Sequence, residues 1–267
     1  MLDIDVIVSD FDGTLLDDDK HLPEQFPALL DALDRRGIRF IAASGRQYYN
    51  IRAQLPGMAD RVDYIAENGA MTVQNGEICS VDEIPAADIA AVVDTVRRTP
   101  GCYPILCGAQ CAYFENEFAE MRHHCELYYE RLDRVDDVME YVTRDRICKI
   151  AVFHSHDAEH VSYPALLPFS PRMQVALSGD CWVDVMNASV NKGAALRSLL
   201  ARLHVSPERC MAFGDYLNDI ELLQASGHPY AMDNSHPQLL ALFPQRGGHN
   251  NREGVVRTIC RALEISL

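Results

Sequence analysis

The stretch VIVSDFDGTLLDDD, residues 6–19, places two carboxylates directly after an apolar run. The short β-branched segment 6–8 predicts a buried strand. Asp10 and Asp12 follow it two residues apart, and side chains with that spacing on an extended chain face the same way. Close anions disfavour each other's ionisation. The pair is tolerable if water screens it, if one carboxylate keeps a proton, or if a cation lies between them.

Composition limits the classes of function that need considering. The chain has 267 residues, enough for one large domain or two smaller ones, and its 48% hydrophobic and 24% charged content is typical of a soluble globular protein. Its net charge of −15 argues against a nucleic-acid partner. We find no apolar stretch long enough to span a bilayer and no signal peptide, so we expect a cytoplasmic protein without a membrane partner.

The nine cysteines are odd in number and lack regular spacing, which in a cytoplasmic protein predicts reduced thiols. One group of residues raises the alternative of a zinc site: Cys107, Cys111, His123, His124 and Cys125. Its spacing lacks the paired-cysteine signature of common structural zinc sites. Core thiols and surface histidines are therefore the favoured interpretation.

Several apolar runs end abruptly in small or polar residues, and helical patterns lie between these runs. The polar ends are Ser44-Gly45, Glu67-Asn68, Gly214-Asp215 and Asp233-Asn234. Strands that alternate with helices predict an α/β fold with a parallel sheet. Because such sheets bind ligands beyond the carboxyl ends of their strands, we expect these residues to share one site.

The middle of the chain has a different pattern. Residues 71–81 predict a hairpin, and further paired strands follow a predicted helix over 86–98. This pattern indicates a smaller α+β domain inserted into the larger one. We place the inserted domain at 84–187 and the core at 1–83 and 188–267.

Lys192 begins a predicted helix, where the helix dipole disfavours a cation. It is either a solvated lysine or, together with the helix terminus, a site for an anion. Asp215 adds a third carboxylate at a strand end, and such oxygen ligands suit Mg²⁺. Asp219 has an ordinary alternative role as a helix cap. Ser44 and the backbone N–H groups after it are either a phosphate-binding turn or simply a loop.

Four motifs resemble, in order, those of the haloacid dehalogenase-like superfamily: DFDGTLL at 10–16, SGR at 44–46, NKG at 191–193 and GDYLND at 214–219. The insertion between the second and third motifs resembles the type II cap of the Cof-type sugar phosphatases. Three further segments are similar to that branch: IAENGA at 65–70, AMDN at 231–234 and NNREGV at 250–255. The resemblance implies a Rossmann-like parallel-sheet core with an inserted α+β cap domain.

The resemblance also implies roles for individual residues. Asp10 matches the nucleophile that becomes an aspartyl-phosphate, and Asp12 matches the general acid and base, whose backbone carbonyl also binds metal. The implied phosphate-binding residues are Ser44, Gly45, Lys192 and Asn218. The implied Mg²⁺ ligands are Asp10, Asp12, Asp215 and Asp219. An Asp at position 12 is expected of phosphatases and phosphomutases, whereas the similar dehalogenases and ion-pumping ATPases lack it.

The predicted function is a Mg²⁺-dependent phosphatase of small phosphorylated metabolites, for example sugar phosphates, active as a monomer or weak homodimer. One alternative is a phosphotransferase or phosphomutase on the same core, and another is a phosphometabolite-binding module without turnover. We expect the cap to select the leaving group, with Tyr113, Glu115, His123 and Trp182 as candidates. The acidic residues 17–19 are predicted to form a solvated loop without a role.

Overall fold

The computed structural model describes residues 2–116 and 119–267. Its strands are β1 Val6–Asp10, β2 Arg39–Ala43, β3 Val62–Ala66, β4 Met71–Gln74, β5 Glu77–Val81, β6 Cys102–Gly108, β7 Ala112–Phe114, β8 Leu132–Arg134, β9 Ile147–His154, β10 Met173–Gly179, β11 Trp182–Asn187, β12 Cys210–Gly214 and β13 His228–Ala231. Its α-helices are α1 Phe26–Arg35, α2 Tyr48–Ala53, α3 Ala86–Arg98, α4 Ala119–Tyr128, α5 Tyr163–Leu166, α6 Lys192–Leu203, α7 Ile220–Gln224, α8 Pro237–Leu242 and α9 Gly254–Leu263.

The first sheet has seven strands in the order β13-β12-β1-β2-β3-β4-β5. β1 pairs in parallel with both β12 and β2, and the parallel pairing continues to β13 and β3 on the two sides. The chain therefore builds one side of β1 first and returns later to build the other. Such a reversal opens a crevice beyond the carboxyl ends of β1 and β12, where α/β proteins bind ligands. The predicted α/β fold is confirmed.

Alternation along β1 decides which helix covers which face of this sheet. Val6 and Val8 lie in one buried cluster with Leu196, Leu199 and Leu200 of α6. Successive residues of a strand point to opposite faces, so the register places Asp10 on the face of Val6 and Val8. The first turn of α6 and the last residue of β1 are therefore on the same side of the sheet.

Close packing between α6 and α7 fixes where α6 begins. A Cβ atom at Gly193 would lie 2.1 Å from the backbone oxygen of Glu221 in α7, so no larger residue fits without a shift of the backbone. Asn191 caps α6, because its Oδ1 accepts a hydrogen bond of 2.7 Å from the N–H of Ala194. Together the cap and the glycine set the position of Lys192.

The second sheet has six strands in the order β10-β11-β9-β6-β7-β8. Its pairings are antiparallel except that β7 and β8 are parallel. Ile89, Val92 and Val93 of α3 pack in a cluster on one face, and Met121 and Cys125 of α4 belong to a separate cluster. This mixture of paired strands and helices is the predicted α+β arrangement.

The chain divides into two compact units. The first contains Met1–Gly45, Ile51–Cys79 and Asn191–Leu267, and the second contains Arg46–Asn50 and Ser80–Val190. The predicted boundaries at 84 and 187 omit the short segment at the start of α2. That segment joins the second unit because the Gln47 side chain bonds to the backbone of residues 130–131 at 2.8 to 3.0 Å.

In the part of the chain that the structure describes, no helix has the length and apolarity needed to cross a membrane.

The cysteines and histidines suggested as a zinc site do not come together. Across residues 2–116 and 119–267, the groups of side chains close enough to share a metal ion contain no cysteine. Cys107 instead lies 3.4 Å from the Tyr129 hydroxyl, and Cys111 contacts the backbone oxygen of Ala112. These cysteines are core thiols.

We predict that Gly193→Ala destabilises the protein although alanine favours helices. The gain in helix propensity is about 1 kcal/mol, but the added Cβ meets the Glu221 backbone, which cannot rotate away. The net loss in the free energy of unfolding should be about 1 to 3 kcal/mol, measured by urea denaturation. Ser198→Ala, on the exposed side of the same helix, is the matched control and should be neutral or slightly stabilising. Equal stability of the two variants would contradict the packing argument.

Candidate active site

A buried ammonium joins β1 to the segment after β12. The Lys192 Nζ atom donates to Asp10 Oδ1 at 2.6 Å and to Asp219 Oδ1 at 2.7 Å. The three side chains are at most 8% exposed. Burial lowers the pKa of Lys192, but the two carboxylates raise it by more, so this pKa lies above its usual value and the lysine stays charged. The structure thus brings Lys192 to the predicted nucleophile.

Carboxylates outnumber cations at this centre. Asp10, Asp215 and Asp219 place carboxylate oxygens within 4.8 Å of one another. Burial is the main cause that raises the pKa of Asp10 well above its usual value; Asp219 raises it further, and Lys192 opposes the rise. Burial, followed by the charge of Asp219, raises the pKa of Asp215 to about 6. A divalent cation with oxygen ligands fits this group, because it would supply the missing positive charge.

Asp215 is held from the loop that follows β1. The Thr14 hydroxyl donates to Asp215 Oδ1 at 2.8 Å. Gly13 has a φ of 75°, and a Cβ atom there would lie 2.5 Å from Asp215 Oδ2. Only glycine combines the left-handed backbone with this close approach. Gly13 therefore lets the backbone pass close to the Asp215 carboxylate, and Thr14 holds that carboxylate with a hydrogen bond.

Asp219 uses both carboxylate oxygens within the protein. Its Oδ1 accepts from Lys192, and its Oδ2 accepts from the backbone N–H groups of Asp215 and Tyr216 at 3.1 and 3.2 Å. It thus stabilises the turn after β12, in keeping with the capping alternative, and also holds the lysine. Its assignment as a direct metal ligand stays a prediction.

Asp12 lies in a different environment from Asp10. A wide turn over Phe11–Leu15 follows β1, and Asp12 is its second residue. The Asp12 side chain is 35% exposed, against 8% for Asp10, and its Oδ1 lies 3.0 Å from Lys20 Nζ. The carboxylates grouped with Asp10 are thus Asp215 and Asp219, while Asp12 contacts Lys20, whose side chain is 52% exposed. The Asp12 carboxylate is therefore accessible to solvent, whereas that of Asp10 is not.

The turn after β2 contains Ser44, which is buried with its backbone engaged. Its N–H donates to the oxygen of Ile65 at 2.9 Å, and its own oxygen accepts from the N–H of Asn68 at 3.0 Å. Asn218 Nδ2 donates to Asn68 Oδ1 at 3.1 Å. A Cβ atom at Gly45 would lie 3.0 Å from the Asn68 side chain. Asn68 thus brings three of the predicted phosphate-binding residues together, and their binding role stays a prediction.

Two residues of this centre were not predicted from the sequence: Thr14 beside Asp215 and Lys20 beside Asp12. Asn68 was expected at the shared site, but its position between the turns after β2 and β12 was not predicted. Thr14 and Asn68 lie inside the family-like motifs, so the motifs marked them without showing what they contact. Lys20 follows a run of three acidic residues, and no pattern in the sequence predicts its φ of 65°.

Comparisons with known proteins give consistent results over nearly the whole chain. A family model described as haloacid dehalogenase-like hydrolase matches residues 7–259. A 5-amino-6-(5-phospho-D-ribitylamino)uracil phosphatase of Escherichia coli (strain K12) is 32% identical, covering 98% of this chain and 97% of the relative. An HMP-PP phosphatase of Cronobacter sakazakii (strain ATCC BAA-894) is 28% identical, covering 96% and 94%. A solved haloacid dehalogenase-like hydrolase from Bacteroides thetaiotaomicron has the same fold, with a TM-score of 0.86, 20% identity, and coverage of 97% and 99%.

The crowded carboxylates predict an unusual dependence of stability on pH. The Asp215 pKa of about 6 in the folded state exceeds the unfolded value of about 4, so the folded protein binds this proton more tightly. Its contribution to stability is present at low pH and is lost as the pH rises from about 4 to about 6. Asp215→Asn removes that loss, because an amide carries no charge at either pH.

In buffer with a chelator, we compare the free energy of unfolding of Asp215→Asn with that of the wild type at two pH values. The difference should favour the variant by about 1 to 2 kcal/mol more at pH 7.5 than at pH 4. This is less than the full pKa shift would give, because Asp215 is partly exposed and solvent screens its charge. Urea denaturation at both pH values measures this difference. Asp19→Asn, which changes an exposed carboxylate of the same unit, is the control and should show no such difference. Parallel pH profiles for the wild type and Asp215→Asn would contradict the electrostatic interpretation.

Proposed function

The chain belongs to the haloacid dehalogenase-like hydrolases, and on that basis we propose that it hydrolyses phosphate esters of small metabolites through an aspartyl-phosphate on Asp10. The observation that carries the proposal is the buried ammonium of Lys192, held between Asp10 and Asp219 at 2.6 and 2.7 Å. It keeps a carboxylate at the carboxyl end of β1 in a fixed orientation. The positive charge of the same lysine would stabilise the negative charge of a phosphoryl group bound there.

Asp10 is the proposed nucleophile. Lys192 holds its Oδ1, and the other oxygen, Oδ2, forms the bond to phosphorus as the ester P–O bond breaks. Water then attacks the phosphorus of the aspartyl-phosphate, which releases inorganic phosphate and restores the carboxylate. A covalent intermediate divides one difficult displacement into two easier ones.

Asp12 is the proposed general acid and base. Protonated Asp12 gives its proton to the leaving oxygen in the first step, and the resulting carboxylate takes a proton from the attacking water in the second. Its partial exposure and its place in the turn just beyond the buried nucleophile suit this exchange. The two carboxylates thus have different roles because their environments differ.

Mg²⁺ is the proposed metal. The grouped carboxylates of Asp10, Asp215 and Asp219 fit a hard cation, and the backbone carbonyl of Asp12 is the further ligand implied by the family resemblance. When bound, the ion neutralises charge on the transferring phosphoryl group. It would also keep Asp10 ionised at neutral pH, since a nearby positive charge offsets the burial that raises its pKa.

The substrate proposal rests on the relatives. Two are named phosphatases, of 5-amino-6-(5-phospho-D-ribitylamino)uracil and of HMP-PP, so these two compounds are the first to test. A phosphomutase or phosphotransferase on the same core would release little inorganic phosphate and would show a burst with an acceptor sugar. A binding module would show no turnover at all. Release of phosphate under steady-state conditions distinguishes hydrolysis from both alternatives.

We predict that Asp10→Asn lowers kcat with an aryl phosphate by several orders of magnitude, because the amide keeps the shape of the side chain but cannot attack phosphorus. Release of the aryl alcohol is the measurement. Beryllium or aluminium fluoride, which mimics a phosphoryl group, should inhibit the wild type. Asp19→Asn is the matched control and should retain full activity. Near-normal turnover by Asp10→Asn would remove the proposed mechanism.

We also predict that a chelator inactivates the protein and that Mg²⁺ restores activity. In parallel, Mg²⁺ should raise the melting temperature of the wild type, since it binds only the folded carboxylate group. Asp215→Ala should lose both the activity and the Mg²⁺-dependent shift, whereas Asp19→Ala should keep both. Full activity in the chelator would show that the carboxylates serve a different chemistry.

A further inference from the structure

The segment after the nucleophile is held by side chains from the C-terminal part of the chain. Asn234 Nδ2 donates to the backbone oxygen of Gly13 at 2.7 Å. Asn234 Oδ1 accepts in turn from the N–H of Asn250 at 3.2 Å. The Gly13 oxygen belongs to the peptide that joins Gly13 to Thr14, so the first of these bonds orients the backbone just after the proposed general acid.

A second set of bonds holds the far end of the same segment. Asn250 Nδ2 donates to the oxygen of Leu16 at 3.2 Å and to Asp18 Oδ1 at 2.9 Å. Asn251 Nδ2 donates to Asp18 Oδ2 at 2.7 Å, and Asn251 Oδ1 accepts from the Asp18 N–H at 2.9 Å. These two asparagines lower the pKa of Asp18. We call Asn234, Asn250, Asn251 and Asp18 the asparagine network.

Asp18 lies in a tight turn that also brings Lys20 to Asp12. The N–H of Lys20 donates to the oxygen of Asp17 at 3.1 Å, and the N–H of Asp17 donates to the oxygen of His21 at 3.1 Å. Lys20 itself adopts a left-handed φ of 65° and places its Nζ 3.0 Å from Asp12 Oδ1. The prediction that residues 17–19 form a solvated loop without a role therefore omits the bonds that Asp18 makes.

The network acts on Asp12 at two points of the segment that follows it in the chain. It fixes the backbone after Asp12 through Gly13, and it fixes the turn whose lysine contacts the Asp12 carboxylate. Asn250, at the centre of the network, is 2% exposed. The asparagines bond to Gly13, Leu16 and Asp18, all in the segment that directly follows Asp12. Thr258, by contrast, donates to the oxygen of Gly247 at 3.0 Å and so stabilises only the C-terminal segment itself.

We propose that the asparagine network positions Asp12 for proton transfer to the leaving group. The inference rests on the proposed function, in which Asp12 is the general acid. The motifs that contain Asn234 and Asn250 then have a defined role, because they hold the loop on which the acid is carried. None of the three asparagines touches the reacting atoms in this proposal, so they are positioning residues.

Loss of the network has a consequence that simple destabilisation does not share. An ester with a good leaving group, such as p-nitrophenyl phosphate, departs without much help from an acid. A primary alkyl phosphate needs the proton from Asp12 as its P–O bond breaks. A displaced Asp12 therefore lowers kcat/KM far more for the alkyl ester, because kcat/KM reports the step in which the leaving group departs.

The test measures kcat/KM of the wild type, Asn234→Ala and Asp18→Asn for p-nitrophenyl phosphate and for a series of aryl and alkyl phosphates. Both substitutions lie on the surface, so folding is not at risk, and circular dichroism verifies it. The alkyl esters should lose about 10- to 100-fold, while p-nitrophenyl phosphate changes by less than about threefold. Thr258→Val removes one buried hydrogen bond from the same C-terminal region and should leave the leaving-group dependence unchanged.

Equal losses on all substrates, or the same leaving-group dependence as Thr258→Val, would overturn the inference. That result differs from failure of the proposed function, which would appear in the wild type and in Asp10→Asn. If the wild type hydrolyses the esters and Asp10→Asn does not, the function stands whatever the network variants show. Asp12→Asn gives the upper limit of the expected change, since it removes the acid altogether.

Discussion

The ammonium of Lys192 between the carboxylates of Asp10 and Asp219 is the interaction on which the rest of this centre depends. Removing one partner from such a buried group leaves an uncompensated charge, at a cost of about 3 to 5 kcal/mol. The contact requires β1 and β12 to be neighbours, α6 to lie on the face of Asp10, and Gly193 to let α6 approach α7.

Charge at the centre is unbalanced. Three carboxylates face one ammonium, and the raised pKa values of Asp10 and Asp215 reflect their burial and the repulsion that remains. A core selected for stability alone would avoid this arrangement, because apolar residues of similar size pack there at lower cost. The imbalance makes sense in a site that binds a cation, and the distances among the carboxylates fit one.

In the proposed mechanism, a loop carries the residue that exchanges protons, and a strand end carries the residue that stays fixed. Asp10 is the last residue of β1 and is held by the sheet and by Lys192. Asp12, two residues later, lies in a turn that needs outside support, and Asn234 and Asn250 provide bonds to that turn and to the segment after it. The same division into rigid strands and supported loops is how α/β proteins combine a stable sheet with a reactive edge.

The sequence by itself determined the buried strand that begins at Val6, the helix over 86–98, the helix that begins at Lys192 and the hairpin at 71–81, because hydrophobic periodicity and turn residues are local signals. Its motifs also marked Asp10, Lys192 and Asp215. Only the tertiary structure decided which charges meet: Lys192 reaches Asp10 from 182 positions away, while Asp12, two positions from Asp10, pairs with Lys20 instead. It likewise decided that Asp18 bonds to Asn250 and Asn251. Spacing along the chain fixes the direction of neighbouring side chains, whereas contacts between distant residues follow from strand order and helix packing, which no local pattern encodes.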